Sequence, residues 1–198
     1  MRRWLWLLTG GALLLTSASA VAADRKVVAK AADCEITAGD RDERGNNLML
    51  CYCDWEVPLE SLKAAFQNVE EHDTYMTSVV ESTVLPDGRV LQVHRADGIS
   101  DRQITLDFSE ENFDDGGYKV SWTRSSKQEP LLDGRIDPPM DDGSWMVRPG
   151  EGGVNKVVYS LRYEPGGRVP GFIVRAFQKN GIAEVLVEMH EVASKMKP

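Results

Sequence analysis

"YEPGGRVPGFIVRAFQKNGIAEVLVEM" (Tyr163–Met189) is the stretch that decides how this chain folds. Pro165 has no N–H to give to a strand ladder, and Gly166–Gly167 permit a sharp reversal, so a strand ends here. Pro170 then occupies a favourable helix start. Downstream, Ile182, Val185, Leu186, Met189, Val192, Ala193 and Met196 recur at i, i+3, i+4, i+7 spacing and form one apolar stripe. Phe172, Ile173, Val174 and Phe177 are apolar in other directions, and Asn180–Gly181 mark a break or kink between the two sets. A surface helix needs one stripe, and this segment carries more. A two-part helix lying across a curved sheet buries one set in permanent core and presents the other to a cavity. Met189 and Met196 suit a surface that adapts to its contact. Periodicity alone favours the plainer outcome, a solid core.

Upstream, "NLMLCYCDWEV" (Asn47–Val57) alternates as a strand with Met49, Cys51, Cys53, Trp55 and Val57 on one face. Pro58 opens a helix in which Leu59, Leu62, Ala65, Phe66 and Val69 space at helical intervals, and "EEHDTYM" suits a short second helix. Strand candidates follow between turn signals: "SVVESTVL", "RVLQVHRADG", "RQITLDFSEENF", "YKVSWTRS", "SWMVRP" and "NKVVYSLRYEP". With no alternation of strand and helix, this is an antiparallel meander. Arg102, Ile104, Leu106 and Phe108 share one face of their strand, and Gln103, Thr105 and Asp107 the other. Tyr118, Val120 and Trp122 share a face, as do Val157, Tyr159, Leu161 and Tyr163. The concave side of the sheet is therefore expected to be aromatic, with few polar groups. Asp40–Asn47 reads as the charged turn of a hairpin, and Asp24–Lys30 as a loose leader.

Arg2 and Arg3, the apolar run Trp4–Leu15 and small residues through Ala23 read as a secretory signal with cleavage after Ala20, Ala22 or Ala23. The run is short for a membrane span, and no cysteine near the cleavage region offers a lipid anchor. Removing residues 1–23 leaves 175 residues and takes two arginines with it, moving the net charge from −8 to −10. An acidic chain without a basic run is a poor binder of nucleic acid or anionic membrane by charge. Export without an anchor makes the periplasm of a Gram-negative bacterium the expected location of the mature protein.

Three cysteines remain, an odd number in an exported protein. Cys51 and Cys53 point the same way along one strand, with side chains ~7 Å apart, too far to bridge each other. A disulfide from Cys34 to Cys51 or Cys53 is expected. No CxxCH occurs, and His72, His94 and His190 have no metal-ligand spacing with the cysteines, so no metal site or cofactor is read here.

The order of strand, two short helices, long antiparallel sheet and C-terminal helix resembles the helix-grip fold of START-type lipid-binding domains. "WEVPLESLKAAFQNVEEHDTYM" resembles their opening. "SDRQITLDF" resembles a strand that begins with an Arg-Asp pair, with Arg102 at the Arg position and Gln103 in place of the Asp. "VSWTRSSKQEPLLDGRID" is similar to the strand and loop that follow. "YEPGGRVPGFIVRAFQKNGIAEVLVEMHEVA" closely matches the family's ending, with Glu164 where Asp is usual. The resemblance runs over residues 47–196. It implies an α+β helix-grip fold, a curved antiparallel sheet wrapped around a long C-terminal helix with two short helices after the first strand. The organisation is then a signal peptide (1–23), a leader and hairpin (24–46) and a START-like domain (47–198).

The resemblance also favours a cavity over a solid core, and with it a monomeric, exported carrier of a lipid or other hydrophobic molecule that makes transient membrane contact. Its expected lining is Arg102, His94, Leu106, Trp122, Tyr159, Phe172, Ala176 and Phe177. By the same likeness Arg102 would pair with an acid or meet the ligand's polar end. Two other functions share the fold. A polyketide cyclase/aromatase-like enzyme needs acid–base groups around its substrate. The sequence offers no Ser-His-Asp order, HExxH, glycine-rich phosphate loop or close inner carboxylate pair, so no catalytic residue is assigned. A protein-interaction module without a ligand would use the Lys127–Asp142 loop with Leu131, Leu132 and Met140, a loop that gates the cavity in the carrier reading. The signal reading predicts that exported protein begins between Val21 and Asp24. N-terminal sequencing tests this, and exported material still starting at Met1 would refute it.

Overall fold

The computed structural model describes residues 26–197, so the signal segment lies outside the described residues. Among the described residues nine strands form one antiparallel sheet: β1 (Val27–Ala31), β2 (Cys34–Arg41), β3 (Asn47–Trp55), β4 (Val79–Val84), β5 (Val90–His94), β6 (Arg102–Asn112), β7 (Tyr118–Arg124), β8 (Met140–Arg148) and β9 (Asn155–Glu164). Their spatial order is β1-β2-β3-β9-β8-β7-β6-β5-β4. The helices are α1 (Leu59–Gln67), α2 (His72–Tyr75), α3 (Gly171–Ala176) and α4 (Ile182–Lys195). This is the expected α+β helix-grip arrangement.

The pairing of β3 with β9 joins the start of the chain to its end. Met49 faces Leu161, Cys51 faces Tyr159 and Cys53 faces Val157 across it. The predicted inner residues of β3 are buried at every second position, as strand geometry requires. One expectation near the N-terminus changes. The leader is a strand over Val27–Ala31, because its backbone pairs with β2 from Val27↔Thr37 to Ala31↔Cys34. Residues 27–41 thus extend the same sheet to which β3 belongs. The hairpin read over Asp40–Asn47 is present with a shorter turn at Asp42–Asn46, since β2 runs to Arg41 and β3 starts at Asn47, and the Asp42 side chain accepts from the Arg44 and Asn46 backbones.

Cys34 stands directly opposite Cys53 in the β2–β3 ladder, and these two form the disulfide. Cys51 is two residues away on the same face and stays a buried thiol, which burial pushes up to about 12.

One half of the concave face is dry core. There the α4 stripe Ile182, Leu186, Met189 and Ala193 and the α1 residues Leu62, Ala65 and Phe66 pack on Trp55, Trp145 and Val157. The Phe66 ring stacks on Trp145 with centroids 5.2 Å apart, and Ser61 Oγ donates to Met196 O at 3.0 Å, fixing α1 to the end of α4. Outside, the segment after β7 lies against β6 on the face opposite the concave one. Gln103 Nε2 donates to Pro130 O, Glu129 N donates to Thr105 Oγ1, and Arg135 forms an ion pair with Glu81. The Lys127–Asp142 stretch is therefore a strapped connection that ends in β8, although Leu131 and Leu132 remain exposed.

Candidate functional site

The other half of the concave face is roofed differently. After β9 the chain reverses through Gly166 and Gly167, both left-handed at φ 64° and 63°. A Cβ on Gly166 would sit 2.9 Å from Asp137 O, so a side chain there meets strain and backbone together. The short α3 follows, then a π-helical turn over Phe177–Gly181, then α4. A π-turn is how a helix absorbs an extra residue, and here it separates roof from core as the Asn180–Gly181 reading anticipated. A Cβ on Gly181 would lie 2.7 Å from Phe177 Cδ2, so glycine lets the Phe177 ring fold back over the turn toward Tyr163, 5.5 Å away.

Beneath this roof is a pocket between β3, β5 to β9, α2 and the C-terminal helices, with a cavity volume of about 130 Å³. Its floor is aromatic. Phe108, Trp122, Tyr159 and Trp145 follow one another across four strands at centroid spacings of 6.0, 6.1 and 4.3 Å. Trp122 has room because Gly143 faces it across the β7–β8 pair; a Cβ at 143 would collide with the indole and sit 2.7 Å from Ser160 O.

The structure places Arg102, His94, Leu106, Trp122, Tyr159 and Phe177 around this pocket. Phe172 does not: it is 66% exposed, and Ile173 and Val174 face the pocket in its place. Spacing placed Phe172 with the apolar set but could not fix the rotation of a one-and-a-half-turn helix. Ala176 ends α3, and its side chain lies outside the described residues. Arg102 neither pairs directly with an acid nor extends across the pocket. Its Nε donates to Pro165 O at 3.0 Å, Nη2 to Gly166 O at 3.4 Å, and Nη1 to Ser100 O.

The pocket's polar chemistry lies in a chain of side chains that the sequence reading did not single out, apart from His94 and Trp122. Ser82 Oγ donates to Val69 O, and Gln92 Nε2 donates to Ser82 Oγ at 3.1 Å and to His72 Nδ1 at 3.0 Å. His94 Nε2 donates to Gln92 Oε1 at 3.1 Å, and His94 Nδ1 stands 3.6 Å from Asp141 Oδ2. Asp141 Oδ1 accepts from Trp122 Nε1 at 2.8 Å. Burial raises the Asp141 carboxyl against the opposing pull of His94, and burial lowers His94 against the pull of Asp141. Each member leans toward its neutral form. His72, with Nδ1 accepting from Gln92, carries its proton on Nε2, and that buried atom has no partner among the described residues. The signal for Asp141 was alternation: Asp141, Gly143, Trp145 and Val147 share the inner face of β8.

The sequence matches the family described as "Polyketide cyclase / dehydrase and lipid transport" over residues 55–189, and the chain belongs to that family. No curated protein matches it in sequence. Among solved structures, the human StAR-related lipid transfer protein 5 superposes with a TM-score of 0.79 at 12% identity, covering 88% of each chain. The STAR-related lipid transfer protein from Xanthomonas axonopodis gives 0.72 at 15% identity, covering 86% of this chain and 97% of that one. A Streptomyces aromatase/cyclase gives 0.53 at 9% identity, covering 76% of this chain and 94% of that one. These likenesses establish the START fold.

The His72 environment has a measurable consequence. Burial, reinforced by the nearby His94, pulls its imidazole from the ordinary 6.5 down to about 4. Between those values the unfolded chain binds the proton and the native one does not, so this contribution is complete above about pH 6.5 and fades toward pH 4. The shift corresponds to ~3 kcal/mol. Urea unfolding of wild type and His72→Gln at pH 7 and pH 4 should show the stability difference shifting in the variant's favour at low pH by about that amount. A difference independent of pH would contradict it.

Proposed function

We propose that this is an exported, non-catalytic protein that holds an apolar lipid between the sheet and the C-terminal helices and transfers it. The observation that carries the reading is the division of the concave face. Half is filled by α1 and α4, and half is an aromatic-floored pocket under a short, interrupted roof. A solid-core domain has no use for that second half. Burial at ~25 cal/mol per Å² of apolar surface supplies affinity without a reactive group. The relatives named for lipid transfer and the lipid-transport family support the same direction. The Cys34–Cys53 disulfide supports export, since such bonds persist in oxidising compartments.

The volume says how the pocket works. Sites for drug-sized ligands occupy ~300–1,000 Å³, so about 130 Å³ holds only part of a lipid. α3 and the 177–181 turn are the roof, and they swing outward to admit the chain, as lids do. Phe172, exposed on α3, then meets the donor or acceptor membrane first. A catalytic reading has one observation behind it, the buried His94–Asp141 pair, and one of the similar folds is an aromatase/cyclase. The carrier is favoured because the pair is tied laterally to Gln92 and Trp122, and the rest of the lining is predominantly apolar.

Two charges introduced into the C-terminal helices separate pocket from core. Phe177 lines the pocket and is half-buried, so Phe177→Asp keeps its carboxylate near water; it should abolish lipid retention while leaving a cooperative melt. Leu186 is fully buried in the dry half, so Leu186→Asp bears a desolvation cost of several kcal/mol and should unfold the domain. Lipid co-purification and thermal melting report both. Equal loss of folding in the two variants, with wild type free of lipid under all conditions, would mean the roof is ordinary core.

A further inference from the structure

We propose that the gap between His94 Nδ1 and Asp141 Oδ2 seats a ligand hydroxyl, so that the molecule carried is an uncharged lipid alcohol. This inference rests on the carrier reading and names the class of its ligand. Its basis is a count of protons and partners. The two atoms are 3.6 Å apart, beyond hydrogen-bond distance, so neither satisfies the other. Their remaining partners are fixed: His94 Nε2 donates to Gln92, and Asp141 Oδ1 accepts from Trp122.

With one proton on the two facing atoms, the pair presents one donor and one acceptor, whichever atom carries it. If Asp141 is protonated, its O–H seeks an acceptor and His94 Nδ1 seeks a donor. If the proton sits on His94, the roles exchange. Only a group that both donates and accepts through one small atom answers either arrangement, and a hydroxyl does so. A carboxylate or phosphate diester only accepts, and so leaves the accepting atom of the pair without a donor. A quaternary ammonium does neither.

The cations along the pocket do not alter this count. Arg102 is turned into the carbonyls of Ser100, Pro165 and Gly166, and Arg95 is held in a two-point pair by Asp101 at the rim. His72 supplies an independent sign of a missing oxygen. Its Nε2 is buried among the lining residues, in a residue only 8% exposed, and has no acceptor among the described residues. Burial pushes Asp141 up and His94 down, each toward its uncharged form.

The test uses three probes of equal chain length, dodecan-1-ol, dodecanoate and dodecane, titrated into the mature protein at pH 8, where dodecanoate is ionised. Trp122 and Trp145 line the pocket, so intrinsic fluorescence reports binding. The alcohol should bind about tenfold more tightly than either of the others, the worth of two net hydrogen bonds. The double variant His94→Phe with Asp141→Leu, checked for a cooperative melt, should bring the alcohol-to-alkane ratio toward one. Dodecanoate binding as tightly as the alcohol, an alcohol no tighter than the alkane, or a ratio that survives in a folded double variant would each overturn the hydroxyl seat while leaving a carrier. Should the double variant fail to fold, the wild-type ranking of the three probes decides alone. No binding of any probe would instead remove the carrier reading and this inference together.

Discussion

Arg102 sits at the start of β6 and reaches across to the carbonyls of Pro165 and Gly166, the turn through which the chain leaves the sheet. The side chain is almost fully buried, and an unsatisfied cation there would be costly, so the carbonyl dipoles that meet it are required for it to be there at all. In return the guanidinium fixes where β9 stops and where α3 starts. Were the turn displaced along the sheet, α3 would no longer roof the space above Trp122 and Tyr163. The double glycine makes the reversal sterically open; Arg102 sets its position.

From that anchor the two halves of the molecule take different physical characters. Under α4 the packing is dense, around a row of rings running from Trp55 through Trp145 to Phe66. Under α3 the roof is one and a half turns long, is joined to α4 by a π-turn, and exposes Phe172 to solvent. A segment with few buried contacts opens locally at low free energy, whereas the α4 half opens only with the whole domain. The dense core and the short roof thereby fall to different residues of one continuous helical segment.

How much of this was legible depends on how local each determinant is. The face of β3, the Pro-Gly-Gly reversal and the α4 stripe follow from alternation, backbone restrictions and helical spacing within a few residues. The disulfide partner was left between Cys51 and Cys53, because only the β2–β3 register, Cys34 opposite Cys53, decides it. Asp141 was hidden for a similar reason. "DPPMDDG" reads as a breaker, yet pairing with β9 from Met140↔Glu164 onward draws it into β8 and turns Asp141 inward. β1 was read as a leader since five residues carry little pattern of their own and are extended by pairing with β2. His94 had no assignable face until the register His94↔Arg102 set it beside the pocket.

The chain shares its family with lipid-transport proteins and cyclases, and the fold serves both chemistries. What distinguishes them is whether the pocket holds a molecule unchanged. Native mass spectrometry of the protein purified from its own host, joined to organic extraction of the same sample, asks this directly. The account predicts one apolar molecule per chain, released intact and recovered with the same mass that the complex lost. A chain that is free of any adduct at every stage of purification, or one that returns a chemically altered species, would contradict it.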